Sequence, residues 1–168
     1  MRKPLIIQTD FGTADGAVCA MYGVSYGVDP ELRITDLTHD IPQYDIWEAS
    51  YRLIQTVNYW PEGSVFVSVV DPGVGSTRRS IVAKTTTGQY IVTPDNGTLT
   101  HVKRMCGITE ARIIDENVNR LPGSGESYTF HLRLYRSEAG CRCHHLRGSR
   151  PFRGSGKRHR TSCCGSGL

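Results

Sequence analysis

"PLIIQTDFGTADGAVCAMYGVSYGVDP", Pro4 to Pro30, is the stretch that decides the fold class. Its first seven residues are an apolar run ending in polar ones, the pattern of a buried strand that opens at a sheet edge. "FGTADG" follows as a turn with two glycines, and "AVCAMYGVSYGV" reads as a helix of small and apolar residues that closes at Asp29-Pro30. Gly16, Gly23 and Gly27 weaken that helix in isolation, which predicts that it lies closely packed on a sheet. Strand, turn and helix in this order form the building unit of a parallel α/β sheet.

The unit recurs along the chain. "LRITDL" (Leu32–Leu37) is a second strand, and a helix follows in which Ile46, Ala49, Leu53, Ile54 and Val57 make one apolar face with Asp45 placed as its N-cap. The Val-rich "SVFVSVVD" (Ser64–Asp71) is a central strand. "RSIVAKTTTGQYIVTPDNG" reads as a hairpin that turns near Thr87-Gly88, "LTHVKRMC" as a short helix, and "ARIIDEN" as another strand. The expected fold is α/β, a mostly parallel sheet with helices on both faces. Trp47, Trp60, Cys19 and Cys106 are expected to serve packing.

Charge divides the 168 residues in two. The overall +4 hides a segment from Leu132 to Leu168 with nine Lys or Arg and one acid, Glu138, while the preceding residues carry a net −4. That segment has no lasting period of 2 or 3.6 and few large apolar residues, so a disordered basic tail is expected after residue 131. Its charge suits nonspecific nucleic-acid binding, though with only Tyr135 and Phe152 it lacks aromatics for a single-strand platform. Cys141, Cys143, His144 and His145, with Cys163 and Cys164, raise a zinc reading, but adjacent ligands are awkward for one tetrahedron. No metal is expected. The N-terminal apolar run is too short for a signal peptide and no stretch reaches spanning length, so a reduced, cytoplasmic protein away from membranes is expected.

Three strand-like runs end in acidic, glycine-containing turns: "TDFGTADG", "VVDPGVGSTRR" and "TPDNG". Ligand crevices of parallel sheets lie beyond the carboxyl ends of strands, where glycines admit a ligand and aspartates accept hydrogen bonds from ribose hydroxyls or an ammonium. None is a G-x-G-x-x-G or Walker A loop, so no motif supports a dinucleotide or NTP. A single such turn is ordinary turn chemistry; three at successive strand ends favour a site. Asp71 with Arg78 and Arg79 across a short glycine loop can orient a water, or can be an ion pair that ties down the hairpin.

Together "TDFGTADG", "ITDLTHDIPQYDI", "VVDPGVGSTRR", "TPDNGTL" and "SYTFH" resemble, in order over residues 1–131, the SAM hydroxide adenosyltransferase family, related to the SAM-dependent fluorinases and chlorinases. The resemblance implies that S-adenosylmethionine is the substrate, that no cofactor is used, and that the protein forms a homotrimer with sites at subunit interfaces. Water or hydroxide would attack the ribose C5′ in line and give adenosine and L-methionine. It places the water-holding triad at Asp71, Arg78 and His131, the ribose-gripping carboxylate at Asp10, the methionine end near Asp15 and a flanking aromatic at Tyr44. Asp95 and Asn96 complete the implied substrate-binding set. His39 either supports the pocket loop or makes a loop-capping hydrogen bond. Retention of Asp71 and Arg78 argues for hydroxide over halide, with the SAM-dependent halogenase as the alternative.

The family pattern runs on as "TFHGRD" into a second, β-rich domain, whereas here "TFH" is followed by "LRLYRS". The expectation is a family domain over 1–131, a basic Arg/Gly/Ser/Cys-rich tail over 132–168 of the kind a shifted reading frame produces, and impaired turnover. An inactive fragment whose tail binds nucleic acid nonspecifically is the remaining alternative.

Overall fold

The computed structural model describes residues 3–115 and the backbone pair Arg150–Pro151. His131 and the cysteines and histidines of the basic segment lie outside the described residues. The elements are β1 (Leu5–Thr9), α1 (Ala17–Val28), β2 (Ile34–Thr38), α2 (Ile46–Thr56) running into a 3-10 turn (Val57–Tyr59), β3 (Val65–Val69), β4 (Ser80–Thr85), β5 (Tyr90–Pro94), α3 (Thr100–Met105), β6 (Ile108–Ile113) and β7 (Arg150–Pro151). Among the described residues one sheet forms, in the order β2-β1-β3-β5-β4-β6-β7. The pairs β1–β2, β1–β3 and β3–β5 are parallel, and the pairs involving β4 and β7 are antiparallel. Five of the seven strands therefore point the same way, an α/β sheet with a parallel core.

Burial explains why β1 and β3 are central. Every residue of "LIIQT" and of "VFVSV" is buried, as continuous apolar strands covered on both faces must be. Alternation assigns the faces. Leu5, Ile7, Val65 and Val67 meet Met21 of α1, while Ile6 and Phe66 meet Leu53 of α2 and Val102 of α3. Helices thus cover both faces. Each of these large side chains contributes on the order of 1.5–3 kcal/mol by leaving water.

The N-cap of α2 is as its sequence predicts: Asp45 accepts the Glu48 amide at 2.9 Å. The β4–β5 hairpin turns at Gly88, whose φ of 88° a Cβ would disfavour. Other details differ from expectation. A Cβ placed on Gly16, Gly23 or Gly27 would meet nothing within 4 Å, so α1 does not use its glycines for close approach to the sheet. They sit on its outer side with the exposed Cys19, which is not a core residue. Trp47 is 62% exposed and stacks on Tyr51 instead of filling the core, whereas Trp60 packs edge-on to Phe66. β6 begins three residues earlier than "ARIIDEN" suggests. At its far edge Arg150–Pro151 pairs with Arg112 and Ile113, an edge position that a proline tolerates.

Candidate active site at the strand ends

The parallel register brings the acidic turns to one edge. Leu5 of β1 aligns with Val65 of β3, and Val65 with Tyr90 of β5. Continued to the strand ends, the register places Asp10, Val70 and Asp95 side by side, so that Asp10 and Asp95 flank the end of β3 at two strand spacings, about 10 Å. Asn96 closes the row: its Nδ2 donates to the carbonyl of Val70 at 2.8 Å, and its Oδ1 accepts from the amide and hydroxyl of Thr98. This is also where the chain reverses direction across the sheet. From β1 it passes under α1 to β2, then returns under α2, on the opposite face, to β3. Such a switch point opens a crevice at the carboxyl edge.

Asp71 stands two residues beyond β3, after Val70. Its side chain is nearly inaccessible, at 3%, and is paired with Arg78. The same Oδ1 accepts the Gly73 amide at 2.9 Å, which closes the Asp-Pro-Gly turn. Arg78 lies across Gly73, and a Cβ built there would overlap the guanidinium. Any side chain there would push the guanidinium aside, so the glycine gives the arginine its clearance, a relation that spacing alone does not reveal. Arg79 reaches the neighbouring turn and pairs with Asp95 at 3.3 Å, while the Asp95 amide donates to the Arg79 carbonyl. Each arginine of "STRR" thus serves a different acidic turn.

Asp10 is held from the other side. Its Oδ2 accepts the backbone N–H of Tyr44 at 2.7 Å, and Tyr44 adopts a φ of 66°, the one positive value outside glycine among the described residues. Tyr44 is 53% exposed beside this carboxylate. Asp15 is exposed at the start of α1 and accepts the Ala17 amide at 2.8 Å. A cavity of about 400 Å³ opens next to the row, between the end of β5, α3 and β6. Asp95 and Asn96 line it together with apolar Ile81, Leu99, Ile108 and Ala111; Asp10 and Asp71 do not. Its size suits a small ligand, but the paired charges stand beside it. Among the described residues no group of three His, Cys, Asp or Glu is placed to hold a metal, and no helix is long and apolar enough to cross a membrane.

Seven of the eight residues singled out from the sequence are thus described. Asp10, Asp71, Asp95 and Asn96 follow adjacent strand ends, Arg78 and Tyr44 are tied to two of them, and Asp15 opens α1. Thr9, buried before Asp10, carries no signal in the sequence, because a buried strand threonine looks ordinary until its hydroxyl is seen to meet both the Phe11 amide and His39.

The profile of the SAM hydroxide adenosyltransferase N-terminal domain matches residues 5–151. The chain belongs to this family. An (R)-S-adenosyl-L-methionine hydrolase from Methanocaldococcus jannaschii is 39% identical over 133 residues, 77% of this chain and 48% of that protein. A fluorinase from Nocardia brasiliensis is 28% identical over 133 residues, 66% of this chain and 44% of the fluorinase. The solved structure of a conserved protein from Thermotoga maritima superposes with a TM-score of 0.71 at 36% identity, over 77% of this chain and 49% of the other. The chain therefore spans about half the length of the relatives it matches. The profile match also runs past His131, as far as the Arg150–Pro151 edge pair.

Proposed function

We propose that this SAM hydroxide adenosyltransferase domain binds S-adenosylmethionine along the row of strand ends and directs water at its ribose C5′. The observation that carries the reading is the buried Asp71 paired with Arg78 on a rigid Pro-Gly turn, one strand from Asp10. Relatives 39% and 42% identical to the chain carry the name (R)-S-adenosyl-L-methionine hydrolase, which supports the same reaction.

In this reading Asp10 takes the ribose hydroxyls, with one carboxylate oxygen already fixed by Tyr44. The exposed Tyr44 side chain flanks the ligand. Asp15 lies toward the methionine ammonium, and Asp95 and Asn96 shape the third side. The nucleophile's oxygen forms a bond to C5′ as the C5′–S bond breaks. The electron pair of that bond goes to sulfur, so a sulfonium becomes a neutral thioether and the leaving group needs no proton. The proton of the water is lost to solvent. The chain contributes a cation and a carboxylate that hold the attacking oxygen in line: Arg78 favours hydroxide over water, and Asp71 fixes its direction. His131, third member of the triad by resemblance, would complete the hold. No cofactor enters, and a homotrimer is the proposed assembly. The Asp71 carboxylate can accept a hydrogen bond from water or hydroxide, whereas a halide has no proton to donate, and this favours water over halide.

The test is a calorimetric titration of the chain with SAM and with adenosine, a mass measurement of the assembly, and chromatography of SAM incubations with and without chloride or fluoride. Nucleoside binding is expected, with adenosine and methionine as products. Turnover by the 168-residue polypeptide alone is expected to be weak, since it aligns with only about half of each relative. A 5′-halonucleoside product would replace this reading with the halogenase, and the absence of binding to either ligand would remove it.

A further inference from the structure

We propose that His39 is a positioning residue for Asp10, setting the β1–α1 loop on which that carboxylate stands. It rests on the reading of Asp10 as a ribose-binding group. His39 is buried, at 5% exposure, just beyond β2. Its Nδ1 lies 2.8 Å from Oγ1 of Thr9, the residue before Asp10. The same Oγ1 accepts the amide of Phe11, the residue after Asp10, at 3.2 Å. The backbone carbonyl of His39 accepts the amide of Gly12 at 2.8 Å, where φ is 68°. Three residues around Asp10 are thus fixed directly or through one hydroxyl by a single histidine.

The histidine is itself braced. Nε2 lies 3.1 Å from Oδ1 of Asp36, an ion-pair distance whose N–H direction is too oblique for a hydrogen bond. The other oxygen of Asp36 accepts the hydroxyl of Tyr22 from α1. The proton order is self-consistent. With the Thr9 hydroxyl donating to Nδ1, a neutral ring carries its proton on Nε2, 3.1 Å from Oδ1 of Asp36. Asp10 itself offers Oδ2 to the Tyr44 amide, so its loop must stand at one height for that bond to form. His39 supplies that height from β2, while Tyr44 comes from the loop before α2.

The experiment compares the full chain with His39→Phe, His39→Asn, Thr9→Val and Thr9→Ser, by adenosine titration and by amide hydrogen exchange. His39→Asn keeps an acceptor near the Nδ1 position and Thr9→Ser keeps the hydroxyl. Thr9→Val is nearly isosteric, which keeps the test available if His39→Phe does not fold. We expect His39→Phe and Thr9→Val to bind adenosine about tenfold more weakly. Phe11 should exchange faster in His39→Phe, and Gly12 faster in Thr9→Val although its own acceptor is untouched. The Asn and Ser variants should restore both readouts, which a bulk packing role would not produce. Unchanged exchange, or wild-type affinity in the Phe and Val variants, overturns the proposal. If the wild-type chain binds no adenosine, the SAM reading fails, and exchange at Phe11 and Gly12 alone decides whether His39 sets the loop.

Discussion

The backbone amide of Tyr44 donates to the side chain of Asp10 across 34 residues of sequence, at 2.7 Å, and it does so with Tyr44 at a φ of 66°. A tyrosine rarely takes this conformation, because its Cβ crowds the backbone carbonyl. The Asp10 bond holds the strained turn, and the tyrosine side chain it carries is 53% exposed.

Two substitutions at Tyr44 separate backbone from ring. Tyr44→Gly and Tyr44→Ala both remove the ring, so both should lose affinity for adenosine. Only glycine accepts the positive φ without strain, so the Gly variant should be more stable than the Ala variant by about 1 kcal/mol, despite its more flexible unfolded chain. Urea unfolding measures the difference. Equal stabilities would mean that the turn relaxes in both and that Asp10 does not enforce it.

The cap of α2 is a second lever on the same turn. Asp45 accepts the Glu48 amide and directly follows Tyr44. Asp45→Ala should cost about 1 kcal/mol by urea unfolding, with Asp45→Ser recovering most of it. A loss confined to α2 would leave adenosine binding intact. A coupled loss would show that the cap and the Tyr44 turn form one unit.

Much of this was legible in the sequence because it depends on local pattern. Continuous apolar runs marked β1 and β3, helical spacing marked α2, and its cap followed from Asp45 alone. The three acidic turns could be read as neighbours once the strands were taken as parallel. What was not legible depends on which way a surface faces. The glycines of α1 are compatible with either close packing or an open outer side, and the structure places them outside. Trp47 and Cys19 carry apolar side chains without the burial such residues usually seek. That β4 lies beyond β5, and not beside β3, follows from tertiary pairing that no hairpin signal encodes. In the site, the Asp71–Arg78 pair was visible as spacing, but the clearance that Gly73 gives the guanidinium exists only in three dimensions.

Tyr22 gives a pH signature. Its hydroxyl donates to Asp36, and its ionisation is pushed well above the ordinary tyrosine value, first by burial, then by the hydrogen bond and negative charge of Asp36. The folded chain therefore holds the phenolic proton more tightly than the unfolded chain does. The stability gained is fully present below the ordinary tyrosine pKa of about 10 and is lost as pH rises through the higher folded value. Urea unfolding of wild type and Tyr22→Phe should show a gap that is constant at neutral pH and narrows above about pH 10. A gap that stays constant into the alkaline range would show that Tyr22 ionises alike in both states.

The Asp71–Arg78 pair makes the most direct prediction for the site. Arg78→Met removes the guanidinium that pairs with a nearly inaccessible carboxylate, and Arg78 is itself 27% exposed, so water offsets part of the loss. A cost of about 2 kcal/mol is expected, below that of breaking a fully buried pair. The double variant Asp71→Asn with Arg78→Met also removes the carboxylate charge that Arg78 offsets, and should be more stable than Arg78→Met alone. Arg78→Lys restores charge but not the planar fork, and should recover only part of the loss. Gly73→Ala keeps both charged groups and displaces the guanidinium, since the new methyl would occupy its place. It should therefore lower stability less than Arg78→Met while reducing SAM cleavage to a similar degree. Urea unfolding and product chromatography on the four variants distinguish the roles. If Gly73→Ala loses stability but cleaves SAM like wild type, the pair is a structural tie for the hairpin and the attacking water is held elsewhere.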